Sequence, residues 1–490
     1  MKKTDLPAFV LTWAYPALLG GVTVFGFAPF YLFPIPIVAL ALFYRSLAGL
    51  GPGAAFRRGL AFGLGWFLAG VSWVYVSMHD VGELGLPLAG LATVLFASVL
   101  AFFPALACAL AARWRAAGHT VALLGFPALW ALAEWLRGWV FTGLPWQALG
   151  YSQAPYGPLA GYAPILGVYG VSWLAALSAV SIARWRPWPL ALAAAIWAAG
   201  LGLQTVQWTQ PAGEPISVSL LQGNVPQDLK FRPERLAATL KLYEKLTADS
   251  ASRLTILPET ALPLFREDVP VDYLRRLGDH ARAQGGDLLY GVPDRDADGR
   301  YYNSVVSIGG LVTQTYRKVH LVPFGEFVPF GFRWLVDAMK VPLSDFSRGR
   351  PNQPPLDVAG QRVAMNVCYE DVFGEELIHA LPAATLMANV SNDAWFGDSF
   401  APWQHLQIAQ MRALETGRWW LKDNNTGITA VLDHKGRVVA SLKPFTTDVL
   451  HSEAHGMTGA TPFVHWGNRA FLALMGLCLL TAVGLSRLAR

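Results

Sequence analysis

The sequence predicts a multi-span α-helical membrane domain of about eight helices joined to a layered α/β domain. Three observations predict it. Hydrophobic residues fill 53% of the 490 positions and charged residues only 14%, with a mean hydropathy of +0.35, too apolar for an ordinary soluble chain. Eight apolar segments are about the length a bilayer crossing needs, which is about 20 residues. The polar stretch between the seventh and the eighth alternates short apolar runs with amphipathic ones. These features divide the chain into a membrane domain (1–204), an extramembrane domain (205–465) and a last helix with a short tail (466–490).

The seven leading segments are Phe9–Phe27, Leu32–Leu47, Gly59–Met78, Pro87–Ala112, Thr120–Trp139, Pro164–Ala183 and Trp188–Leu203, and the eighth is Asn468–Leu485. Pro16, Pro104 and Pro127 fall inside them, as bilayer helices tolerate. The 19 Trp suit a chain with many membrane–water boundaries. Lys2, Lys3, Arg45, Arg57, Arg58, Arg113, Arg115, Arg184, Arg186, Arg487 and Arg490 all fall on one side of the spans. The opposite short loops offer Arg137, with Asp80 and Glu83. The positive-inside rule places the basic side in the cytoplasm and residues 205–465 outside. Glu134 and Arg137, three residues apart near the outer end of the fifth span, are expected to anchor it there.

Between the seventh and eighth spans, β-rich runs occur at Ile216–Leu221, Leu254–Leu257, Leu288–Val292, Val305–Ile308, Val363–Cys368, Thr385–Asn389 and Ile428–Leu432. Helical patterns at Glu234–Ser250 and Trp403–Thr416 lie among them. The segment Phe324–Phe346, with Trp334 and Leu335 and few charges, is a candidate arm toward the bilayer. A net charge of +5 is small for this length and gives no nucleic-acid face. His320, His379 and His405 have no ligand spacing, and no phosphate loop or dinucleotide fingerprint is found, so neither metal nor organic cofactor is expected. Few ionisable residues and no paired broken helices argue against a transporter.

Of the three cysteines, Cys108 and Cys478 sit in apolar segments, leaving Cys368 alone in the polar domain. It ends an apolar strand, and Asp371 is placed to cap a helix starting just after it. A thiol at a helix N-terminus is more easily ionised. Glu259 ends another apolar strand, where a carboxylate can point into a cleft as general base. Lys318 lies in Tyr-Arg-Lys-Val-His at 316–320, and a fixed ammonium there can stabilise a thiolate or an oxyanion. Taken singly, each residue type serves structure more often than catalysis.

Together, in the order Glu, Lys, Cys, they resemble the triad of the nitrilase (carbon–nitrogen hydrolase) superfamily. Gln-Gly-Asn-Val-Pro-Gln at 222–227, Pro-Glu-Thr at 258–260, the run from His320 to Pro329, Val-Cys-Tyr-Glu at 367–370 and Ser-Asn-Asp-Ala-Trp-Phe-Gly at 391–397 are similar to the apolipoprotein N-acyltransferase family. So are Gln404-His405 and Met-Arg-Ala-Leu-Glu at 411–415. The resemblance implies an α-β-β-α sandwich on the periplasmic side of a bacterial inner membrane. It implies Cys368 as acylated nucleophile, Glu259 as base and Lys318 as stabilising cation, with Glu326, Tyr369 and Glu370 in support. Phe231, where some members carry tryptophan, and Trp395 and Phe396 are the implied substrate contacts. The implied partners are a phospholipid acyl donor, a diacylglyceryl-apolipoprotein acceptor and membrane lipid, handled by a monomer. By residue chemistry alone, a membrane-tethered amidase or nitrilase-type hydrolase remains the alternative, because water and an amine accept from the same thioester.

Overall fold

A computed structural model describes residues 9–328 and 345–488. The greater part of the expected arm at Phe324–Phe346, with Trp334 and Leu335, lies outside the described residues. The chain forms two compact units. One comprises the chain up to Tyr75, Gly85–Val206 and the chain from His465; the other comprises Val76–Leu84 with Gln207–Val464.

The first unit is helical. Each of the eight apolar segments contains a helix, including Pro34–Ser46, Pro52–Gly70, Leu86–Ala111, His119–Arg137, Ala163–Arg184 and Arg469–Leu488. Among the described residues, three stretches are long and apolar enough to cross a membrane: Leu86–Trp114, Pro158–Arg184 and Arg469–Leu488. A fourth is the pair Pro52–Gly70 and Trp73–Val81, bent by 56°. The helices Pro34–Ser46 and Pro187–Leu203 are shorter. Glu134 and Arg137 are buried inside this unit rather than lying at its surface as anchors. Glu134 accepts from Trp130 Nε1 at 3.0 Å and the Leu149 backbone N–H at 3.1 Å, and Arg137 donates to the carbonyls of Leu144 and Trp146. The pair fixes the loop after its helix, because a buried charge needs such partners.

The second unit is a sandwich of two six-stranded sheets. Its strands are β1 (Ile216–Gln222), β2 (Leu254–Ile256), β3 (Asp287–Arg295), β4 (Tyr301–Ile308), β5 (Thr315–Arg317), β6 (Leu356–Val358), β7 (Gln361–Val367), β8 (Leu386–Ser391), β9 (Trp420–Asn424), β10 (Ala430–Leu432), β11 (Val438–Ser441) and β12 (Asp448–Ala454). The first sheet runs β12-β1-β2-β3-β4-β5 and the second β11-β10-β9-β8-β7-β6. Strands β1, β2 and β3 are mutually parallel, as are β7, β8 and β9.

These central strands are buried on both faces, so most of them are rich in apolar residues, while β9 is buried although its second half is polar. Alternation still sorts the side chains. Ile216, Val218, Leu220, Ile256 and Leu289 meet Val363, Met365, Val367, Leu386, Ala388 and Val390 between the sheets. Leu221, Leu288 and Tyr290 turn the other way, against Tyr243 and Leu246 of helix Pro233–Ala248 and Leu277 of helix Val271–Ala283. Ala364, Met387 and Trp420 pack on Leu406, Ala409 and Ala413 of helix Ala401–Thr416. The order of layers is α-β-β-α.

Candidate active site

Residues just beyond the carboxyl ends of three strands, two in the first sheet and one in the second, converge. Glu259 stands three residues beyond β2, Lys318 directly follows β5, and Cys368 directly follows β7. Gly291 in β3 lets the Glu259 turn approach. A Cβ there would lie 2.3 Å from the Pro258 carbonyl oxygen and 2.5 Å from the Thr260 nitrogen.

Lys318 is 1% exposed and bonded to carboxylates. Its Nζ lies 2.8 Å from Glu326 Oε2 and 3.5 Å from Glu259 Oε1. The Nδ2 of Asn303, from β4, donates to both carboxylates, at 2.7 Å to Glu259 Oε1 and 2.8 Å to Glu326 Oε1. Burial works against the charge on Lys318, but Glu326, Glu259 and Cys368 outweigh it and hold the ammonium well above the ordinary lysine range. The cation is therefore permanent and fixed between two bases.

Cys368 has φ of 52°, a left-handed conformation that is uncommon for a residue with a side chain. A 3₁₀ turn, Cys368–Val372, follows it. Asp371 does not cap this turn, contrary to the sequence expectation. It is buried and paired with His405 at 3.0 Å and Lys422 at 3.2 Å. The bond to the β7 end comes instead from Glu370, whose Oε2 accepts from the Val367 N–H at 2.7 Å. Glu370 Oε1 also accepts from the Val319 and His320 backbones, at 2.7 and 3.1 Å, and the Tyr316 hydroxyl donates to the same carboxylate at 3.0 Å. One carboxylate thus clamps the Lys318 segment onto the Cys368 turn. Burial pushes its pKa up to about 7 despite Lys318 and those backbone N–H groups. Tyr369 is buried beside it, its ring 5.6 Å from His320 and 5.0 Å from Phe373.

Burial and Glu259 raise the Cys368 pKa well above an ordinary thiol, with Lys318 opposing. At rest the sulfur keeps its proton beside a carboxylate that can take it. This arrangement can run thiol addition to a carbonyl carbon, with proton transfer to a base and a cation beside the developing charge.

Behind Cys368 lies a network that the sequence did not reveal. Asn389 Nδ2 donates to the Cys368 carbonyl at 3.0 Å, and Lys422 Nζ donates to Asn389 Oδ1 at 3.0 Å. His405 bridges Asp371 and Asp393 at 3.0 and 2.9 Å. Burial disfavours its charge, but the two carboxylates prevail and carry its pKa up to about 9. Asn303 and Lys230 were likewise not foreseen. A visible signal existed for Asn303 and Lys422: each is a polar side chain inside a strand otherwise built for burial.

Phe231, Trp395 and Phe396 are only part-buried. Phe231 directly follows the helical turn Gln227–Lys230, and Trp395 and Phe396 close the turn Asp393–Phe396. Asn392 Nδ2 donates to Gln227 Oε1 at 2.6 Å and so ties the two loops together. Ser77 Oγ, from the Val76–Leu84 segment, donates to the Trp395 carbonyl at 2.8 Å.

The fold is that of an enzyme of the carbon–nitrogen hydrolase class. A family model described as "Carbon-nitrogen hydrolase" matches residues 217–462, and one described as "Apolipoprotein N-acyltransferase N-terminal domain" matches residues 19–181. An apolipoprotein N-acyltransferase of Nitrosomonas europaea is 54% identical over 94% of this chain and 95% of its own length. Those of Chromobacterium violaceum and Ralstonia nicotianae are 46% and 45% identical, over 95% and 98% of this chain and 92% and 95% of theirs. The chain belongs to the apolipoprotein N-acyltransferase family, and it is an acyltransferase.

Proposed function

We propose that the enzyme moves a fatty acyl chain from a phospholipid to the α-amino group of a diacylglyceryl-cysteine at an apolipoprotein N-terminus. The observation that carries the mechanism is the thiol of Cys368 facing a lysine that two glutamates hold in place. Glu259 takes the Cys368 proton as sulfur attacks the ester carbonyl, and Lys318 stabilises the oxyanion. Collapse of the tetrahedral intermediate breaks the ester C–O bond. The proton passes from Glu259 to the departing glycerol oxygen, leaving a thioester and a lysophospholipid. The lipoprotein amine then attacks the thioester and Glu259 accepts its proton; the C–S bond breaks to leave the amide, and Glu259 returns the proton to the Cys368 sulfur. Glu326 and Glu370 hold the lysine and its segment, and Tyr369 packs beside Cys368. Phe231, Trp395 and Phe396 contact the lipid chains.

In this reading residues 1–204 form a membrane domain of about seven spans. Residues 205–465 are a periplasmic catalytic domain, and residues 466–490 add the last span and a cytoplasmic tail. The one-sided basic loops support that orientation in the bacterial inner membrane. The protein acts as a monomer. Two experiments test the proposal. Purified enzyme given a labelled phospholipid and a diacylated lipopeptide should yield N-acylated lipopeptide and lysophospholipid with ping-pong kinetics; release of free fatty acid with the lipopeptide untouched would make it a hydrolase. A cysteine at exposed Asp298 should react with an impermeant thiol reagent on intact spheroplasts, and reaction only after lysis would reverse the topology.

A further inference from the structure

Lys230 takes no part in the mechanism above, yet it is 3% exposed. It ends the helical turn Gln227–Lys230, and its Nζ donates to the Glu259 carbonyl oxygen at 2.8 Å. That is the one hydrogen bond of its ammonium among the described residues, so two of its three N–H donors have no acceptor among them. A lysine kept only to hold a carbonyl is a costly choice, since a buried ammonium loses its hydration and a neutral donor would serve.

The backbone that delivers it is held at several points. Asn425 accepts from the Val225 N–H at 2.9 Å and donates to the Val225 carbonyl at 2.7 Å. Asn392 bonds Gln227 on the same turn. The chain thus brings a charged side chain into the wall of the site and fixes it there.

We propose that Lys230 is a second cation of the active site, a positioning residue that holds the Glu259 turn through its carbonyl and supports the Glu259–Cys368 pair by its charge. This rests on the reading of Cys368 as nucleophile and Glu259 as base. Glu259, from the end of β2, and Cys368, from the end of β7, are the titratable partners that face it. Lys318 and Glu326 share those partners from the β5 side, while Asp228 and Arg232 near its own turn are exposed. Burial lowers the Lys230 pKa to about 8 against the pull of Glu259 and Cys368, so the charge is present at neutral pH and lost just above it. Lys318, held well above the ordinary range, stays charged throughout. The two cations therefore have separable signatures.

The test is the pH dependence of acyl-enzyme formation by the full-length protein in detergent, with a phospholipid donor, the thioester on Cys368 being quantified from pH 6 to 9.5. Wild type should lose rate in an alkaline limb near pH 8. Lys230→Arg, which keeps its charge, should move that limb up by about a unit or more. Lys230→Met should show no such limb and should form acyl-enzyme about tenfold or more slowly at pH 7. One alkaline limb shared by all three proteins, with rates differing only in scale, would overturn the proposal and leave Lys230 a purely structural residue. Should one variant fail to fold, the limb in the other decides. Wild type forming no thioester at any pH would instead defeat the underlying reading of Cys368, and this proposal with it.

Discussion

Replacing Lys318 by Met separates what the lysine does for the fold from what it does for the reaction. The ammonium is 1% exposed and stands 2.8 Å from Glu326 and 3.5 Å from Glu259. Removing it leaves two buried carboxylates that share Asn303 and have no cation between them. Breaking a buried pair from one side costs about 3–5 kcal/mol. Loss of a group that stabilises an oxyanion costs about 10²–10³ in rate. The double variant Lys318→Met with Glu326→Gln removes one of the two uncompensated carboxylates, so it should regain part of the stability. It should not regain the rate. The assay is urea unfolding of the detergent-solubilised protein, followed by tryptophan fluorescence, beside the single-turnover rate of acyl-enzyme formation. If the single variant unfolds like wild type, the ion pair holds nothing together. If the double variant acylates at the wild-type rate, Lys318 is not the stabilising cation.

Further predictions concern the surrounding groups. His405 is raised from 6.5 to about 9, so its contribution is full below pH 6.5 and is lost as pH rises through about 9. It should amount to about 3 kcal/mol across that window, read as amide exchange in helix Ala401–Thr416, and His405→Gln should flatten the dependence. Glu370→Gln weakens the bonds to Val319, His320 and Val367. It should destabilise by about 1–3 kcal/mol and lower kcat with little change in KM. Glu259→Gln should stop thioester formation itself; wild-type accumulation of acyl-enzyme would remove Glu259 as the base of the first step.

Much of this architecture was legible in the chain because it depends on local patterns. Apolar runs marked the seven strands named above, within a few residues. The helices expected over Glu234–Ser250 and Trp403–Thr416 lie at Pro233–Ala248 and Ala401–Thr416. Of the strands that escaped notice, β5, β6 and β11 are three or four residues long, too short for alternation to show, and β12 has seven residues but mixes Asp448, His451, Ser452 and Glu453 into them. Strand β9 was hidden by Lys422-Asp423-Asn424, a polar sequence that tertiary burial overrides. Glu259 and Cys368 could be picked out because each ends an extended run, and Lys318 through the resemblance of the Glu, Lys, Cys order. Lys230 and the Asp371–His405–Asp393 network could not, and Asn303 showed only as a polar residue inside a buried strand. Their importance comes from partners 12 to 44 residues away in sequence, brought close only by the packed sheets. The segment Val76–Leu84, which groups with the second unit through contacts such as Ser77 to Trp395, gave no such signal either.

The proposed reaction turns on a covalent acyl group carried by one sulfur. Purified enzyme incubated with phospholipid alone, quenched in acid and digested, should yield a peptide containing Cys368 heavier by one fatty acyl chain. Neutral hydroxylamine should remove the addition. A diacylated lipopeptide should discharge it with a matching gain in the mass of the peptide. Cys108 and Cys478, both buried in the helical unit, should remain unmodified, and Cys368→Ala should show neither addition nor transfer. An acyl group found on another residue, or normal transfer by the alanine variant, would contradict the account.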